Sequence, residues 1–409
     1  MKLREPIYLL HLSVILTFLA VSQFSKITNA EAASSAEPDY SWETLLPARI
    51  RQVFSITKQL TSFHQYVQND IFLNEDETMY MFTMELGSNK DKVQLQLDTG
   101  SGDLLVINQG AICSNDQKRN PTEDSCHSWG VFNLGSSKTV TNTNSKITAS
   151  FFDGTSCTGD FIIDDIYFNS NIKVSQFQFA TVTKTSTNNG ILGIGRVAQE
   201  STPQKYDNLP VAMKNSGLIN KIAYSLYLDN STGGSIVFGG IDKAKYSGEL
   251  VYLPFESQRI ITVNLSSIEF ENGKSLTIDD EVLIDSGTTY INVLPSVFDT
   301  IVDNFSSGGT RKGDLYIIDC EQPSDKFFTF KFKGVEIKVP YTDLVSEAID
   351  QDTRQTVDNV CLLAVTANPT MTILGMNFMR HAYLVFDLED NKLGIAPVKY
   401  TNQASINAF

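Results

Sequence analysis

The sequence predicts an all-β protein built from two similar units, and three observations predict it. From about residue 70 onward, short segments alternate apolar and polar residues at the two-residue period of a half-buried strand, with Gly, Asn, Asp and Ser between them. An acid-hydroxyl-glycine turn occurs twice, as DTGS at residues 98–101 and as DSGT at residues 285–288. Each turn is followed, after a similar interval, by a strand of two aliphatic residues and a glycine, in NNGILGIG (188–195) and MTILGMNF (371–378). Four elements in the same order indicate duplication of one β unit.

The strand predictions rest on segments with clear alternation or continuous apolar character, namely MYMFTMEL, KVQLQLD, FIIDDIYF, GSIVFGG and FFTFKFKGVEIKVP. Two segments have a helical pattern instead, PSVFDTIVDNF (295–305) and YTDLVSEAID (341–350), and are predicted to be short helices.

The N-terminus predicts a secreted protein. Lys2 and Arg4 precede an apolar stretch, so residues 1–22 are interpreted as a signal peptide, with cleavage near residues 20–30. A signal anchor that stays in the membrane is the alternative. Residues 23–65 lack strand alternation and cysteine, and are interpreted as a removable prosegment or else as an ordinary N-terminal extension.

The composition and hydropathy of the chain limit which partners it can bind and where it can be located. Lys and Arg number 32 against 47 Asp and Glu, and this net charge of −15 argues against nucleic-acid binding. After the signal region, no stretch approaches the ~20 apolar residues that a membrane span needs, and the C-terminus lacks the hydrophobic tail of a lipid-anchor signal. We expect a monomer that is extracellular or associated with the cell wall. Asn230, Asn264 and Asn304 lie in Asn-x-Ser/Thr sequons and are candidate glycosylation sites.

Five cysteines fit an oxidising compartment, but the sequence alone leaves their pairing open. The chain has no Cys-x-x-Cys, and its four histidines are scattered. We therefore expect neither a metal site nor a cofactor.

The repeated turn predicts an active site made of two carboxyl groups. If the two units face each other, Asp98 and Asp285 meet, and two neighbouring carboxyl groups do not both ionise easily. One can then stay protonated while the other takes a proton from a water molecule that attacks a carbonyl group. Gly100 and Gly287 permit close backbone approach, and Ser101 and Thr288 can donate hydrogen bonds to the acids.

With these motifs the chain, from about residue 70 to 400, resembles the pepsin-like aspartic endopeptidases, and within them the fungal candidapepsins and yapsins. The resemblance implies a bilobal fold of two β-barrel-like lobes with a few short helices and a peptide-binding cleft between them. We assign residues 66–245 to the N-terminal lobe and residues 246–409 to the C-terminal lobe.

The resemblance further implies that Asp98 and Asp285 are the catalytic pair and that Thr99 and Ser286 interlock beneath it.

The same resemblance implies a disulfide in each lobe, Cys113–Cys126 and Cys320–Cys361, which leaves Cys157 as a free thiol, either exposed on the flap or buried and inert. The dibasic pair Lys118-Arg119 lies in the loop between the first two cysteines. This loop is predicted to be cut by processing proteases, or else to remain an uncut surface loop.

The active-site flap of the family corresponds to FFDGTSCTG, residues 151–159, and includes Asp153, Gly154 and Thr155. Here the sequence departs from the family. Phe151 stands at the position of a tyrosine, Phe152 at a glycine, and Leu105 where a tryptophan is common. These changes put turnover and substrate preference in doubt, but they leave the pair of acids intact. Asp153 is either a contact for basic substrate residues or an ordinary solvated acid.

Two other functions are compatible with part of this sequence. Actin-like and sugar-kinase-like ATPases also carry two Asp-x-Gly turns, but their fold alternates strands with helices, unlike this β-rich chain. A pepsin-like protein that binds peptides with weakened or no catalysis is the closer alternative. The preferred function is a secreted aspartic endopeptidase that acts on peptide or protein substrates and is most active at acidic pH.

Overall fold

The computed structural model describes residues 66–409 except 75–76, 115–125, 153, 169–171, 230–232, 314 and 350–355. All of the described residues belong to one compact unit, residues 63–409. The predicted signal peptide, the predicted prosegment and the dibasic loop lie outside the described residues and stay predictions.

The prediction of an all-β protein is confirmed, since the described residues form 26 strands and only three α-helices. In chain order the strands are β1 (Val67–Leu73), β2 (Tyr80–Leu86), β3 (Asp91–Asp98), β4 (Leu104–Cys113), β5 (Thr141–Ser150), β6 (Ser156–Phe168), β7 (Ile172–Thr185), β8 (Gly190–Gly193), β9 (Ala223–Leu228), β10 (Gly233–Phe238), β11 (Gly240–Asp242), β12 (Val251–Pro254), β13 (Thr262–Glu269), β14 (Ser275–Ile284), β15 (Ile291–Val293), β16 (Thr310–Lys312), β17 (Leu315–Ile318), β18 (Phe327–Phe332), β19 (Val335–Pro340), β20 (Val345–Ile349), β21 (Thr356–Leu363), β22 (Val365–Ala367), β23 (Thr372–Leu374), β24 (Ala382–Asp387), β25 (Lys392–Pro397) and β26 (Ile406–Ala408).

The helices are short and few. The α-helices are α1 (Leu209–Asn215), α2 (Pro295–Asn304) and α3 (Met376–Met379), and 3₁₀ turns cover Val197–Gln199 and Tyr341–Leu344. Among the described residues, no helix has the length and apolar character needed to cross a bilayer.

Most strands belong to two sheets. Thirteen strands form the larger one, in the order β12-β25-β24-β9-β10-β1-β2-β3-β8-β4-β7-β6-β5. Seven form the second, in the order β19-β18-β13-β14-β23-β15-β22. A four-stranded sheet (β16-β17-β21-β20) and a two-stranded one (β11-β26) complete the described set. Strand β24 pairs with β9, so the larger sheet continues across residue 245, and the lobe boundary proposed there stays a prediction.

The duplication predicted from the sequence is visible in the strand pairing. Strand β3 pairs in parallel with β8, and β8 pairs antiparallel with β4, which follows the first acid turn. In the same way β14 pairs in parallel with β23, and β23 pairs antiparallel with β15, which follows the second turn. Each acid turn therefore connects two strands that lie on either side of an aliphatic-glycine strand.

One helix prediction is confirmed and the other is wrong. Helix α2 begins with a proline at its first turn and buries Phe298, Ile301 and Val302, which share one face at helical spacing. The segment at 341–350, in contrast, forms a single 3₁₀ turn that buries Tyr341 and Leu344 and then becomes strand β20. Because β20 pairs with β21, tertiary hydrogen bonds decide its conformation and override the local helical pattern.

Candidate active site

The two acid turns lie at equivalent strand ends and make equivalent hydrogen bonds. Asp98 is the last residue of β3, and Asp285 follows the last residue of β14; both side chains are buried. Asp98 Oδ1 accepts from the N–H of Gly100 at 2.8 Å, and Asp285 Oδ1 accepts from the N–H of Gly287 at 2.8 Å.

The hydroxyl groups predicted to support the acids also make equivalent contacts. Ser101 Oγ donates to Asp98 Oδ2, and Thr288 Oγ1 donates to Asp285 Oδ2 at 2.6 Å. Each carboxylate thus has one backbone donor and one hydroxyl donor, which orient it on its own turn.

The turns face each other closely enough that each glycine is next to the opposite acid. A Cβ atom on Gly100 would lie 2.5 Å from Asp285 Oδ1, and one on Gly287 would lie 2.5 Å from Asp98 Oδ1. Real Cβ atoms are not found so near another atom. The absence of a side chain at both positions therefore lets the two carboxyl groups approach one another.

Beneath the acids, Thr99 and Ser286 cross-link the two turns. The N–H of Thr99 donates to Ser286 Oγ at 3.1 Å, and the N–H of Ser286 donates to Thr99 Oγ1 at 3.0 Å. Thr99 Oγ1 donates in turn to the carbonyl of Ile284 at 2.9 Å, and Ser286 Oγ to that of Leu97 at 2.7 Å. Both side chains are fully buried, and all of these polar atoms have hydrogen-bond partners, as buried polar groups need. Because the bonds run between the two turns, they fix the position of one turn relative to the other.

The surroundings of Asp98 favour its protonated form. Burial and the neighbouring charge of Asp285 raise the pKa of Asp98 well above its ordinary value, while the hydrogen bonds from Ser101 and Gly100 partly oppose the rise. Asp98 therefore retains its proton at pH values where a solvated carboxyl group has lost it.

The flap residues form the tip of the hairpin between β5 and β6. The N–H of Phe151 donates to the carbonyl of Thr155 at 2.9 Å, and Gly154 adopts the left-handed conformation that the turn requires, with φ +82°. Phe151 packs against a buried cluster that contains Leu105, while Phe152 is 70% exposed. Asp153 lies outside the described residues.

The cysteines form the two pairs implied by the resemblance, Cys113–Cys126 and Cys320–Cys361. Cys157 is free and buried on β6, in the same cluster as Leu105. Burial raises the pKa of the Cys157 thiol to about 11, so the second of the two interpretations, a buried thiol of low reactivity, fits this residue.

Two of the three sequons lie on described residues. Asn264 is half-buried on β13. Asn304 is half-buried at the end of α2, where its Nδ2 donates to the carbonyl of Thr300 at 2.8 Å. Asn230 lies outside the described residues, and glycosylation at all three stays a prediction.

Sequence reasoning missed two side chains that lie outside the acid turns and donate hydrogen bonds to them. Gln199 Nε2 donates to the carbonyl of Gly100 at 2.6 Å, and Gln96 Nε2 donates to the carbonyl of Gly287 at 2.9 Å. The available signal was weak, since a glutamine in an alternating strand or a polar turn is ordinarily a solvent-facing residue. A stronger signal comes from comparing the two repeat units. Gln96 and Leu283 both lie two residues before an acid, so a polar residue stands in one unit where the other has an apolar residue.

Two β units that bring a buried pair of carboxyl groups together define the class of the aspartic endopeptidases. Residues 79–398 match the eukaryotic aspartyl protease family, and the chain belongs to this family. It is an aspartic-type endopeptidase, as the resemblance implied.

Among curated proteins, the chain is similar to candidapepsins. It is 38% identical to Candidapepsin-3 of Candida albicans (strain WO-1) over 342 residues, which cover 82% of this chain and 84% of that protein. It is 36% identical to Candidapepsin-1 of the same strain over 344 residues, covering 83% and 86%. The Candidapepsin of Candida tropicalis is 35% identical over 368 residues, covering 88% and 89%.

Proposed function

We propose that Asp98 and Asp285 are the catalytic pair of this endopeptidase and that it acts outside the cell on extended peptide segments. The observation that carries the proposal is the mutual approach of the two turns, in which each glycine abuts the opposite carboxylate. No other pair of acids repeats the sequence, strand position and hydrogen bonds of its partner in this way among the described residues.

The proposed mechanism uses one proton and one water molecule. Asp98, whose pKa is raised by burial and by Asp285, donates its proton to the oxygen of the scissile carbonyl. Asp285, as the carboxylate, takes a proton from the water molecule while the water oxygen bonds to the carbonyl carbon. The tetrahedral diol then collapses and the carbon–nitrogen bond breaks. Asp285 passes the proton that it took from water to the leaving amine, while Asp98 takes a proton from a hydroxyl group of the diol, which becomes the carbonyl of the new carboxyl group. The pair returns to its starting state with one proton on Asp98.

This mechanism predicts activity in acid. The pair is competent only while it holds a single proton, and the raised pKa of Asp98 extends that state upward in pH. As the pH rises through this pKa, Asp98 loses its proton and the carbonyl group loses its acid. Activity should therefore fall on the alkaline side.

Substrate binding is proposed to use the β-rich surroundings of the pair. An extended peptide can form backbone hydrogen bonds to strand edges, and pockets can then distinguish alternate side chains. The exposed Phe152 at the tip of the hairpin offers an apolar contact that a glycine at this position would lack. Phe151 and Leu105 are proposed to hold the flap by apolar packing.

Secretion is supported by the N-terminal pattern and by the relatives, one of which is called Secreted aspartic protease 3. The proposed processing removes residues 1–22 and then 23–65. Glycosylation at the sequons, cell-wall association and a monomeric state belong to the same proposal.

The proposal is tested with the purified mature protein and a peptide library at pH values from 3 to 9, a range that includes the raised pKa of Asp98. We expect internal cleavage that is strongest in acid and is blocked by a statine-type inhibitor, whose hydroxyl group mimics the tetrahedral diol. A metal chelator at the same concentration serves as the control and should have no effect. Peptide binding without cleavage across this range would contradict the proposal and favour a non-catalytic peptide-binding protein.

A further inference from the structure

A chain of two side-chain amides connects the first repeat unit to the second acid turn. Gln96 lies on β3, and its Nε2 donates to the carbonyl of Gly287, 191 residues further along the chain, at 2.9 Å. Asn189 Nδ2 donates to Gln96 Oε1 at 3.3 Å and also to the carbonyl of Gly190 at 2.9 Å. The oxygen of the Gln96 amide is thus held by one donor while its nitrogen contacts the turn.

The strand geometry explains why Gln96 reaches this turn. Successive side chains of a strand point to opposite faces, so Gln96 lies on the same face of β3 as Asp98. In the sheet Gln96 is opposite Ile191 of β8, and Asn189 immediately precedes that strand. The three side chains Asn189, Gln96 and Asp98 therefore follow one another toward the opposing turn.

Within the described part of the second repeat unit, this arrangement has no equivalent. The residue two positions before Asp285 is Leu283, which is buried and apolar. The carbonyl of Gly100 does accept an amide, from Gln199 at 2.6 Å, but Gln199 belongs to the same repeat unit as Gly100. Of these two bonds to glycine carbonyls, the bond from Gln96 is the one that joins the two units.

Gly287 is the residue through which this bond can act. Its N–H donates to Asp285 Oδ1, and its carbonyl accepts from Gln96, so the two groups of one residue link Gln96 to the acid. A turn free to rotate about this glycine would change the direction of the N–H and hence the position of the carboxylate. The glycine cannot be restrained by a side chain of its own, because a Cβ would collide with Asp98.

We propose that Gln96, oriented by Asn189, is a positioning residue that holds the second acid turn against the first. This inference rests on the proposed catalytic role of Asp98 and Asp285 and names a residue that places one of them. Among the described residues, Gln96 makes its side-chain hydrogen bonds to Gly287 and Asn189 and none to either carboxylate. Its effect passes through the peptide backbone of Gly287.

The test compares Gln96→Leu with Gln96→Glu. Leucine removes the donor and reproduces the residue found at position 283, so kcat should fall roughly tenfold while KM changes less than about twofold, since small misplacements of catalytic groups are costly. Protonated glutamic acid has an O–H that can replace the amide donor, whereas its ionised form is an acceptor only. Gln96→Glu should therefore keep most of the parent kcat at pH 3 and fall toward the Gln96→Leu value as the pH approaches 6.

Gln94 provides the matched controls, because it lies on the same face of β3 two residues earlier and is also half-exposed. Gln94→Leu should leave kcat unchanged, and Gln94→Glu should leave the pH profile unchanged. Asn189→Ala, which removes only the orienting donor, should have a smaller effect on kcat than Gln96→Leu.

Active-site titration with a statine-type inhibitor gives kcat per folded molecule, so a loss of stability cannot imitate the expected result. A parent-like kcat for Gln96→Leu would overturn the inference, as would equal losses for Gln96→Glu and Gln96→Leu at every pH. Different results would contradict the proposed function itself. These are a parent protein that is insensitive to the inhibitor, or cleavage that persists after substitution of Asp98 or Asp285.

Discussion

The two acid turns are alike in the groups that touch the carboxylates and unlike in the groups that support them. Both acids accept one glycine N–H and one hydroxyl, and Thr99 and Ser286 exchange matching hydrogen bonds. The carbonyl groups of the two glycines, in contrast, are both bound by glutamines of the first repeat unit, and the hairpin with the flap residues also belongs to that unit.

This difference separates two requirements of the site. Sharing one proton requires two carboxyl groups in nearly equal geometry, and a duplicated backbone supplies them. Fixing the distance between the two copies is a different task, which a symmetric repeat does not solve by itself. The hydroxyl cross-link of Thr99 and Ser286 and the hydrogen bond from Gln96 to Gly287 both join the two copies.

The largest effect should come from filling the space between the turns. Gly100→Ala and Gly287→Ala each place a methyl group against an opposing carboxylate that is already held by two hydrogen bonds. We expect each substitution to lower kcat/KM by roughly 100-fold or more, because the acids must move apart. Steady-state kinetics on both variants tests whether the turns are equivalent.

Gly110→Ala is the control for this pair, since a Cβ on Gly110 meets no atom within 4 Å. It should retain parent activity. A large loss for one of the two turn variants and none for the other would break the equivalence of the turns.

An intermediate effect is expected from the hydroxyl beside Asp98. The bond from Ser101 favours the charged form of Asp98, so Ser101→Ala should raise the pKa of Asp98 further and keep its proton bound to higher pH. The alkaline fall of kcat/KM should then move to higher pH, and kcat should drop about tenfold, in line with the loss of a hydrogen bond to a charged group.

Ser101→Thr keeps the hydroxyl and should restore the parent pH profile. The measurement is kcat/KM as a function of pH for the three proteins. A shift of the alkaline fall to lower pH in Ser101→Ala would contradict the electrostatic account of Asp98.

The smallest effect concerns the flap of the first repeat unit. Phe151 packs against the buried cluster that contains Leu105, and both side chains are apolar. Tyrosine at 151 and tryptophan at 105, the residue types of the family at these positions, would together add a hydroxyl group and a ring N–H that can bond to each other. Leu105→Trp alone should overpack this buried position and lower activity, and Phe151→Tyr alone should gain little. The double variant should exceed the sum of the two, with a coupling free energy of about 0.5–3 kcal/mol in kcat/KM. Strict additivity would show that the two residues do not act together.

The sequence predicted the duplicated architecture and the meeting of the acids, because a repeated motif on a repeated strand is a property of local sequence. The prediction of a helix at residues 341–350 was wrong because the conformation of β20 depends on its hydrogen bonds to β21. The local sequence pattern carries no information about that partner strand. Gln96 was missed for a related reason. Its role depends on a carbonyl 191 residues away, and the alternation of β3 shows only which face it occupies.

Asp98 and Asp285 should act as one catalytic unit, in which neither acid is active without the other. The deciding measurement is kcat/KM for Asp98→Asn, Asp285→Asn and the double variant, with circular dichroism to verify folding and Asp299→Asn, on the surface of α2, as the control. Each single variant should lose at least the ~10²–10⁴-fold attributed to a positioned acid or base, and the double variant should lose little more. More than a tenth of parent activity in either single variant, or losses that multiply in the double variant, would contradict it.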